Sequence, residues 1–319
     1  MKTLPALESG PLTRQSDGMN HVYSLDGFWE EKDGEKKFWA ACDYPETRKG
    51  FLEAGGETFW VEFEGQGQPL ILVHGGPGVD HRYFHPRFSS LAETRSLIYY
   101  DMRGHYMSPQ SLSSRSHGVL EDAHDLESLR KALGLDKIDL LGHSYGGHAV
   151  LAYVQKYPEN VRSIILVSAP LGEADEDVDR RIESAPITKK MEEAESEEEY
   201  DKLYFQFYFH KTPPPDVLRI NQLVQKAYGS LKNKLLMEAY EHDKTVLNQK
   251  GIFSGLKIPA LVIAGRHDLI VNVDAIRQVV EYSSKTEFKI YEESKHDPFV
   301  DEPERFTKDV SEFLTSSDL

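Results

Sequence analysis

Apolar and polar positions along the chain fall into two alternating patterns. Short apolar runs rich in β-branched and aromatic residues lie at 58–63, 70–74, 97–101, 138–142, 163–167, 260–264 and 287–291. Segments with apolar residues every three or four positions lie at 120–133, 149–157, 275–282 and 303–314. Strand-sized runs that alternate with amphipathic helices are typical of a mostly parallel sheet with helices on both faces. The pattern therefore predicts a doubly wound α/β fold.

One interval interrupts this alternation. No strand-like run occurs between 171 and 251, although a crossover connection needs only about a dozen residues. Helical periodicity continues inside it, at 203–209, 217–227 and 231–240. We therefore predict that 171–251 form an inserted helical cap, while 57–170 and 252–319 form the core.

Residues 1–56 precede the alternating pattern. They contain two of the three tryptophans, Trp29 and Trp39. Disordered tails are usually poor in aromatic residues. We therefore expect this N-terminal leader to pack on the core.

The charge balance limits the classes of partner. The chain has 319 residues, with 37 Lys and Arg against 53 Asp and Glu, and a formal net charge of −16. Such a surface repels nucleic-acid phosphates and anionic membranes. Much of the negative charge lies at 173–201, which we expect to be mostly a solvated surface. A small molecule or a short peptide remains as the expected partner, and the sequence leaves the oligomeric state open.

The single cysteine and the N-terminal sequence bear on the compartment. Cys42 has no second cysteine with which to form an intramolecular disulfide, and this fits a reducing compartment. The N-terminal residues lack the apolar run of a signal peptide, and no apolar segment is long enough to span a bilayer. We expect a cytoplasmic protein.

The sequence Gly142-His143-Ser144-Tyr145-Gly146 follows the apolar run at 138–142 and precedes a helical segment. A strand, this G-x-S-x-G spacing and a helix together define a nucleophile elbow. The glycines are needed because the sharp turn brings neighbouring backbone close to positions two before and two after the serine. Ser144 is therefore the predicted nucleophile.

A serine hydroxyl needs a base, and the base needs an acid that orients it. His296 lies in a polar loop directly after the last strand-like run. Asp268 follows the run at 260–264, at the sheet edge where open α/β folds bind ligands. Asp274 and Asp297 are the alternative acids. His143 and His148 flank the elbow and are expected to have packing or hydrogen-bonding roles.

The sequence His74-Gly75-Gly76-Pro77-Gly78 follows the run at 70–74. Acyl transfer needs two backbone N–H groups where negative charge develops on the carbonyl oxygen, and a loop without side chains can supply one. The residue after the nucleophile, Tyr145, supplies the other. A phosphate-binding loop would need G-K-[ST] or G-x-G-x-x-G, and neither is present. The histidines show no H-E-x-x-H motif and the carboxylates no D-x-D-x-D-G loop, so neither a metal nor a cofactor is expected.

Taken together, these motifs resemble the α/β-hydrolase superfamily, in its proline iminopeptidase-like branch (peptidase family S33). The similarity extends from about residue 50 to 314 and includes Gly265-Arg266-His267-Asp268 and Lys295-His296-Asp297-Pro298-Phe299. It implies an α/β-hydrolase fold with a cap over the active site, with Ser144, Asp268 and His296 as the catalytic triad. It also implies Gly76 and Tyr145 as oxyanion-hole donors.

Two departures from the family pattern concern the substrate. After Asp101-Met102-Arg103-Gly104 the family continues x-G-x-S, but Tyr106 occupies the position of that glycine. Iminopeptidases of this branch bind the substrate amine through cap glutamates, one of them in a Gly-Pro stretch that is absent here. Glu238 and Glu241 are the candidates, with Gly75 as a further substrate contact, although a solvated helix face explains both glutamates equally well.

The sequence therefore predicts a cofactor-independent serine hydrolase that works through an acyl-enzyme. The first hypothesis is an iminopeptidase-like aminopeptidase on small peptides or amides, because an acidic cap attracts an ammonium group. The second is a carboxylesterase or lactonase on small esters. The third, from another class, is a ligand-binding protein that retains the fold without turnover.

Overall fold

The structure is a computed structural model of the chain. It describes residues 6–8, 12–16, 19–24, 27–32, 35–40, 47–76, 78–109, 117–172, 175–230 and 247–318.

The first described strands form a small antiparallel sheet. Its four strands pair in chain order: β1 (Leu12–Ser16), β2 (Met19–Ser24), β3 (Gly27–Lys32) and β4 (Glu35–Ala40). Ahead of this sheet, Leu7 packs against the apolar core and Glu8 forms a backbone bridge with Phe51. These contacts connect residues 7 and 8 to the rest of the protein.

The main sheet contains eight strands. They are β5 (Arg48–Ala54), β6 (Glu57–Gly65), β7 (Gln68–Val73), β8 (Arg95–Tyr100), β9 (Ile138–His143), β10 (Val161–Val167), β11 (Ala260–Gly265) and β12 (Thr286–Tyr291). Their spatial order is β12-β11-β10-β9-β7-β8-β6-β5. Strand β6 runs in the opposite direction to the other seven strands, which are parallel to one another. The predicted mostly parallel sheet is therefore confirmed.

Strand β5 lies within the residues that the sequence assigns to the leader. The main sheet therefore starts at residue 48, before the predicted core boundary at 57. The sequence of β5, RKGFLEA, contains no β-branched residue and includes a glycine. Both features weaken the strand signal.

Helices cover both faces of the sheet. The described helices are α1 (His85–Phe88), α2 (Val119–Ala132), α3 (Tyr145–Lys156), α4 (Asp175–Ser184), α5 (Pro186–Glu192), α6 (Glu197–Tyr208), α7 (Pro215–Ser230), α8 (Gln249–Gly255), α9 (Val273–Val280), α10 (Pro298–Asp301) and α11 (Pro303–Ser317). Successive strand residues enter opposite cores. Ile71 and Val73 pack in the core that contains α2, α3 and α9, and Leu70 and Leu72 pack in the core that contains α1 and α11.

Four helices, α4 to α7, follow β10 and occupy most of the predicted cap. Ser196 is the N-cap of α6. Its side chain accepts a hydrogen bond from the Glu199 N–H, which has no partner inside the helix. The helix predicted at 231–240 lies outside the described residues. Within the described part of the chain, no helix has the length and apolar character needed to cross a membrane.

Candidate active site

Ser144 lies at the sharp turn between β9 and α3. Its backbone has φ 53° and ψ −123°, which is a strained conformation for a residue with a side chain. The Ser144 N–H donates to the Val167 carbonyl at 2.9 Å, and this hydrogen bond holds the turn. A Cβ on Gly146 would lie 2.2 Å from the Val73 carbonyl oxygen, so the elbow is packed directly against β7. The sharp turn between strand and helix that the sequence predicts at Ser144 is therefore present, and it is strained.

His296 and Asp268 lie beside each other in loops that follow β12 and β11. The His296 Nδ1 is 2.8 Å from the Asp268 Oδ2, and both side chains are buried. The other carboxylate oxygen, Oδ1, accepts hydrogen bonds from the N–H groups of Ile270 and Val271, at 2.7 and 3.2 Å. These contacts fix the carboxylate, and the carboxylate fixes the imidazole.

Burial alone would lower the pKa of His296. The negative charge of Asp268, its hydrogen bond and the charge of Asp297 together outweigh burial, so the pKa of His296 is raised. These surroundings stabilise the imidazolium form of His296.

The two alternative acids lie elsewhere. Asp274 is exposed in the first turn of α9. Asp297 is buried, but its Oδ1 lies 3.2 Å from the Nε2 of His143. Of the three carboxylates, Asp268 is the one that contacts the Nδ1 of His296.

The glycine loop after β7 lies against the elbow. A Cβ on Gly75 would lie 3.1 Å from the Cβ of Ser144, so the loop backbone packs closely against Ser144. Gly76 has φ 134°, a conformation that favours glycine. Tyr145 opens α3, and the first N–H groups of a helix have no partner within it. Of the two expected oxyanion donors, Tyr145 directly follows Ser144 and Gly76 lines the same cavity as Ser144. Pro77 of the same loop is outside the described residues.

Helices α6 and α7 of the predicted cap line, together with these groups, an open cavity of about 310 Å³. Tyr200, Tyr204 and Tyr208, four residues apart on α6, line it from above. The Tyr208 ring meets the His296 ring edge-on at 5.7 Å, and the Tyr208 carbonyl accepts a hydrogen bond from the His296 N–H at 3.1 Å. The remaining lining residues are Gly75, Gly76, Val79, Tyr83, His143, Ser144, Asn221, Val224, Ile270, His296 and Asp297.

Asp301 joins the end of α6 to the loop that carries His296. Its carboxylate accepts hydrogen bonds from the N–H groups of His210, Lys211 and Lys295, all at 2.9 to 3.0 Å. Burial raises the pKa of Asp301 although these three donors lower it. One carboxylate thus holds both the cap and the histidine loop.

The two cap glutamates predicted as amine ligands, Glu238 and Glu241, lie outside the described residues. Among the described residues that line the cavity, Asp297 supplies the carboxylate. The tyrosine row was not anticipated from the sequence, although the four-residue spacing of the three tyrosines is the signal that would have indicated it. A larger cavity of about 730 Å³, lined by Val154 and Ile252 among others, contains neither Ser144 nor His296.

The sequence predicts no metal site, but buried groups of potential ligands do occur. Ligand atoms of Glu62, His81 and His85 lie within 4.8 Å of one another, as do those of Asp80, His81 and Asp101. Burial would lower the pKa of His81, yet Asp101 and Glu62 raise it to about 10. His81 is therefore an imidazolium between two carboxylates at neutral pH, and a hydrogen-bonded ion cluster explains the grouping. The four-residue spacing of His81 and His85 is the feature of the sequence that could have indicated this cluster.

The Asp101–Gly104 stretch makes structural contacts. Arg103 donates to Asp125 at 3.0 Å, and Asp101 accepts from the His81 N–H at 3.1 Å. Tyr106, in the position of the family's glycine, has φ 38°. Arg82 lies 3.7 Å from its ring centre and donates to its hydroxyl at 3.0 Å. These contacts hold Tyr106 in a backbone conformation that favours glycine.

Comparison with known proteins agrees with this architecture. The model of the alpha/beta hydrolase fold family matches residues 68–303. A proline iminopeptidase of Heyndrickxia coagulans is 29% identical over 296 residues, which cover 84% of this chain and 99% of that protein. A proline iminopeptidase of Lactobacillus delbrueckii subsp. bulgaricus is 31% identical over 277 residues, which cover 78% and 90%.

Among solved structures, an esterase from Rhodococcus sp. ECU1013 is 25% identical with a TM-score of 0.64, covering 85% of this chain and 99% of that chain. An esterase from Exiguobacterium antarcticum is 22% identical with a TM-score of 0.62, covering 83% and 98%, and shows the shared fold. The family match spans most of the chain, and relatives near 30% identity extend over almost their whole length. The chain therefore belongs to the α/β-hydrolase family, in its proline iminopeptidase-like branch, and is a hydrolase.

Proposed function

We propose that the protein is a cofactor-independent serine hydrolase whose triad is Ser144, His296 and Asp268. The observation that carries this proposal is the 2.8 Å contact between Asp268 and His296 at the wall of the cavity that Ser144 lines. A merely structural turn would need neither a strained serine nor an oriented imidazole that lines the same cavity. A purely ligand-binding protein would need the cavity alone.

In the proposed mechanism the Asp268 carboxylate holds the Nδ1–H of His296, which leaves Nε2 to accept a proton. Nε2 takes the Ser144 proton as the hydroxyl oxygen attacks the substrate carbonyl, and a tetrahedral oxyanion forms. The N–H groups of Gly76 and Tyr145 stabilise that oxyanion. His296 then protonates the leaving group, the acyl-enzyme forms, and water releases the acid by the same steps in reverse order.

For the substrate we propose a small peptide or amide with a free N-terminus, cleaved in the manner of an iminopeptidase. Sequence similarity to proline iminopeptidases supports this activity, and so does the net charge of −16, which attracts an ammonium group. Asp297 lies in the cavity wall and supplies a carboxylate near the site. The cavity of about 310 Å³ favours a small substrate. A single cysteine fits catalysis in the cytoplasm.

A carboxylic ester or lactone is the second candidate substrate. The described cap residues in the cavity wall are three tyrosines, Asn221 and Val224, none of which is a carboxylate. An ester requires no amine ligand, so this lining suits it. Similarity of the fold to esterases agrees with that alternative.

Two experiments separate these proposals. A fluorophosphonate probe should label the wild type and should not label Ser144→Ala, and a wild type that stays unlabelled would refute the serine hydrolase. Proline naphthylamide should be cleaved faster than p-nitrophenyl esters or lactones of similar size. Loss of amide cleavage in Glu238→Gln or Glu241→Gln, with ester cleavage retained, would support amine recognition by the cap. Ester turnover without any amide cleavage would favour the second candidate.

A further inference from the structure

A chain of buried hydrogen bonds connects the three loops that meet at the site. The Gly75 N–H donates to the Tyr83 hydroxyl at 2.7 Å, and that hydroxyl lies 2.8 Å from the Nδ1 of His143. The Nε2 of His143 lies 3.2 Å from the carbonyl oxygen of His296 and 3.2 Å from the Oδ1 of Asp297. The glycine loop, the elbow and the histidine loop are therefore joined through two side chains.

The chemistry of the end group determines the direction of the bond at the Nε2 of His143. A carbonyl oxygen only accepts, so the Nε2 of His143 must carry a proton and donate a hydrogen bond to the His296 carbonyl oxygen. In a neutral imidazole the other nitrogen, Nδ1, then accepts, and Tyr83 donates its hydroxyl proton to it. The Tyr83 oxygen is left to accept from Gly75. Burial raises the pKa of Tyr83, so its hydroxyl keeps that proton.

The glycine loop needs such an anchor. Gly75 and Gly76 have no side chains that packing could hold, and the φ of 134° at Gly76 lies in a region that few residues adopt. The Gly76 N–H is the proposed oxyanion donor, and displacements near 1 Å in a catalytic group can reduce the rate about 100-fold. The Tyr83 hydroxyl fixes the residue that directly precedes this donor.

We propose that Tyr83 and His143 are positioning residues that keep the oxyanion loop, the nucleophile elbow and the His296 backbone in register for reaction. This role rests on the proposed serine hydrolase function. Neither side chain is assigned a proton from the substrate, because both nitrogens of His143 and the Tyr83 hydroxyl already have partners within the chain. The two residues act through Gly76 and His296.

The test is Tyr83→Phe, which removes one oxygen atom and keeps the ring that packs beside Phe84 and Phe299. The matched control is Tyr153→Phe, because the buried Tyr153 hydroxyl also makes a hydrogen bond, to Glu127 at 2.8 Å, but lies outside the site. Turnover is measured on the best substrate of the wild type and is expressed per site labelled by the fluorophosphonate. Counting labelled sites removes any misfolded fraction from the comparison.

We expect Tyr83→Phe to lower kcat about 10- to 100-fold, the effect of a displaced oxyanion donor, with KM changed less than about twofold. Tyr153→Phe should keep the wild-type kcat. His143→Asn should also lower kcat, and the double variant should lose no more than the larger single loss, because both changes break the same chain. An unchanged kcat in Tyr83→Phe, or an equal loss in Tyr153→Phe, would overturn the positioning role. An unlabelled wild type would instead overturn the proposed function, and this role with it.

Discussion

Replacing Asp268 by asparagine is the sharpest test of the proposed triad. In the wild type, one carboxylate oxygen accepts two backbone N–H groups and the other faces the Nδ1 of His296 at 2.8 Å. In Asp268→Asn the new amide oxygen would keep the backbone donors, which turns the NH₂ group toward His296. Because an NH₂ group only donates, Nδ1 would have to become an acceptor, and the proton would move to Nε2. A protonated Nε2 cannot accept the Ser144 proton.

The predicted loss follows from that change of tautomer. Asparagine is nearly the same size as aspartate, so the fold and KM should be preserved while kcat falls by up to ~10⁴-fold, about 5 kcal/mol of transition-state stabilisation. The pH profile should change as well. The base must be neutral to act, and its pKa is raised in the wild type, so kcat/KM should rise with pH around a midpoint above the ordinary histidine value. Without the charge of Asp268, burial lowers the pKa, and this midpoint should move to lower pH.

Steady-state kinetics over a pH series that spans this midpoint, on a chromogenic substrate, measure both effects. Asp274→Asn is the control, since that side chain is exposed on α9, and it should behave as the wild type. A nearly active Asp268→Asn would refute the assignment, and Asp297 would then be the next acid to test.

Three further predictions concern stability and the cap. Gly146→Ala places a Cβ 2.2 Å from a β7 carbonyl oxygen, so we expect loss of the folded protein or a fall in Tm of many degrees, and a wild-type Tm would contradict the close packing of the elbow. Asp301→Asn leaves at least one of three backbone donors without an acceptor, at a cost of about 1–3 kcal/mol. Denaturant unfolding should show that loss, kcat should fall with it, and faster proteolysis in the cap should accompany both. The raised pKa of His81 stabilises the fold fully below its unfolded pKa, near 6.5, and that contribution is lost as pH rises through about 10. Tm should therefore fall over this range more steeply in the wild type than in His81→Gln, and equal slopes would contradict the ion cluster.

The elements with buried, continuous apolar sequences could be predicted from the chain. Seven of the eight strands in the main sheet follow the apolar runs. The central parallel strands β7, β9, β10 and β11 gave the clearest signal, because parallel strands buried on both faces need apolar residues at nearly every position. Helix α3 begins at Tyr145, four residues before its predicted start at 149, because Gly146 and Gly147 are poor helix formers that hide the first turn. Strand β5 was missed because it lacks β-branched residues.

The candidate site was only partly predictable. Ser144, His296 and Asp268 follow from their positions after parallel strands, whose carboxyl ends meet at one sheet edge. Choosing among three acids required the distance to an imidazole nitrogen. The contact between His143 and the His296 carbonyl joins residues 153 positions apart, and no local pattern encodes such a partner. The glutamates of the predicted cap remain a prediction, since they lie outside the described residues.

The backbone hydrogen bond between Tyr208 and His296 limits how the substrate selectivity of the protein can be changed. Movement of the C-terminal end of α6 away from the core would displace the backbone of His296, the residue proposed as the general base. Substrate must therefore enter without breaking this hydrogen bond, or the reaction stops while the hydrogen bond is broken. A variant with a different cap and the same rate would therefore have to keep residues 208–211 of this chain.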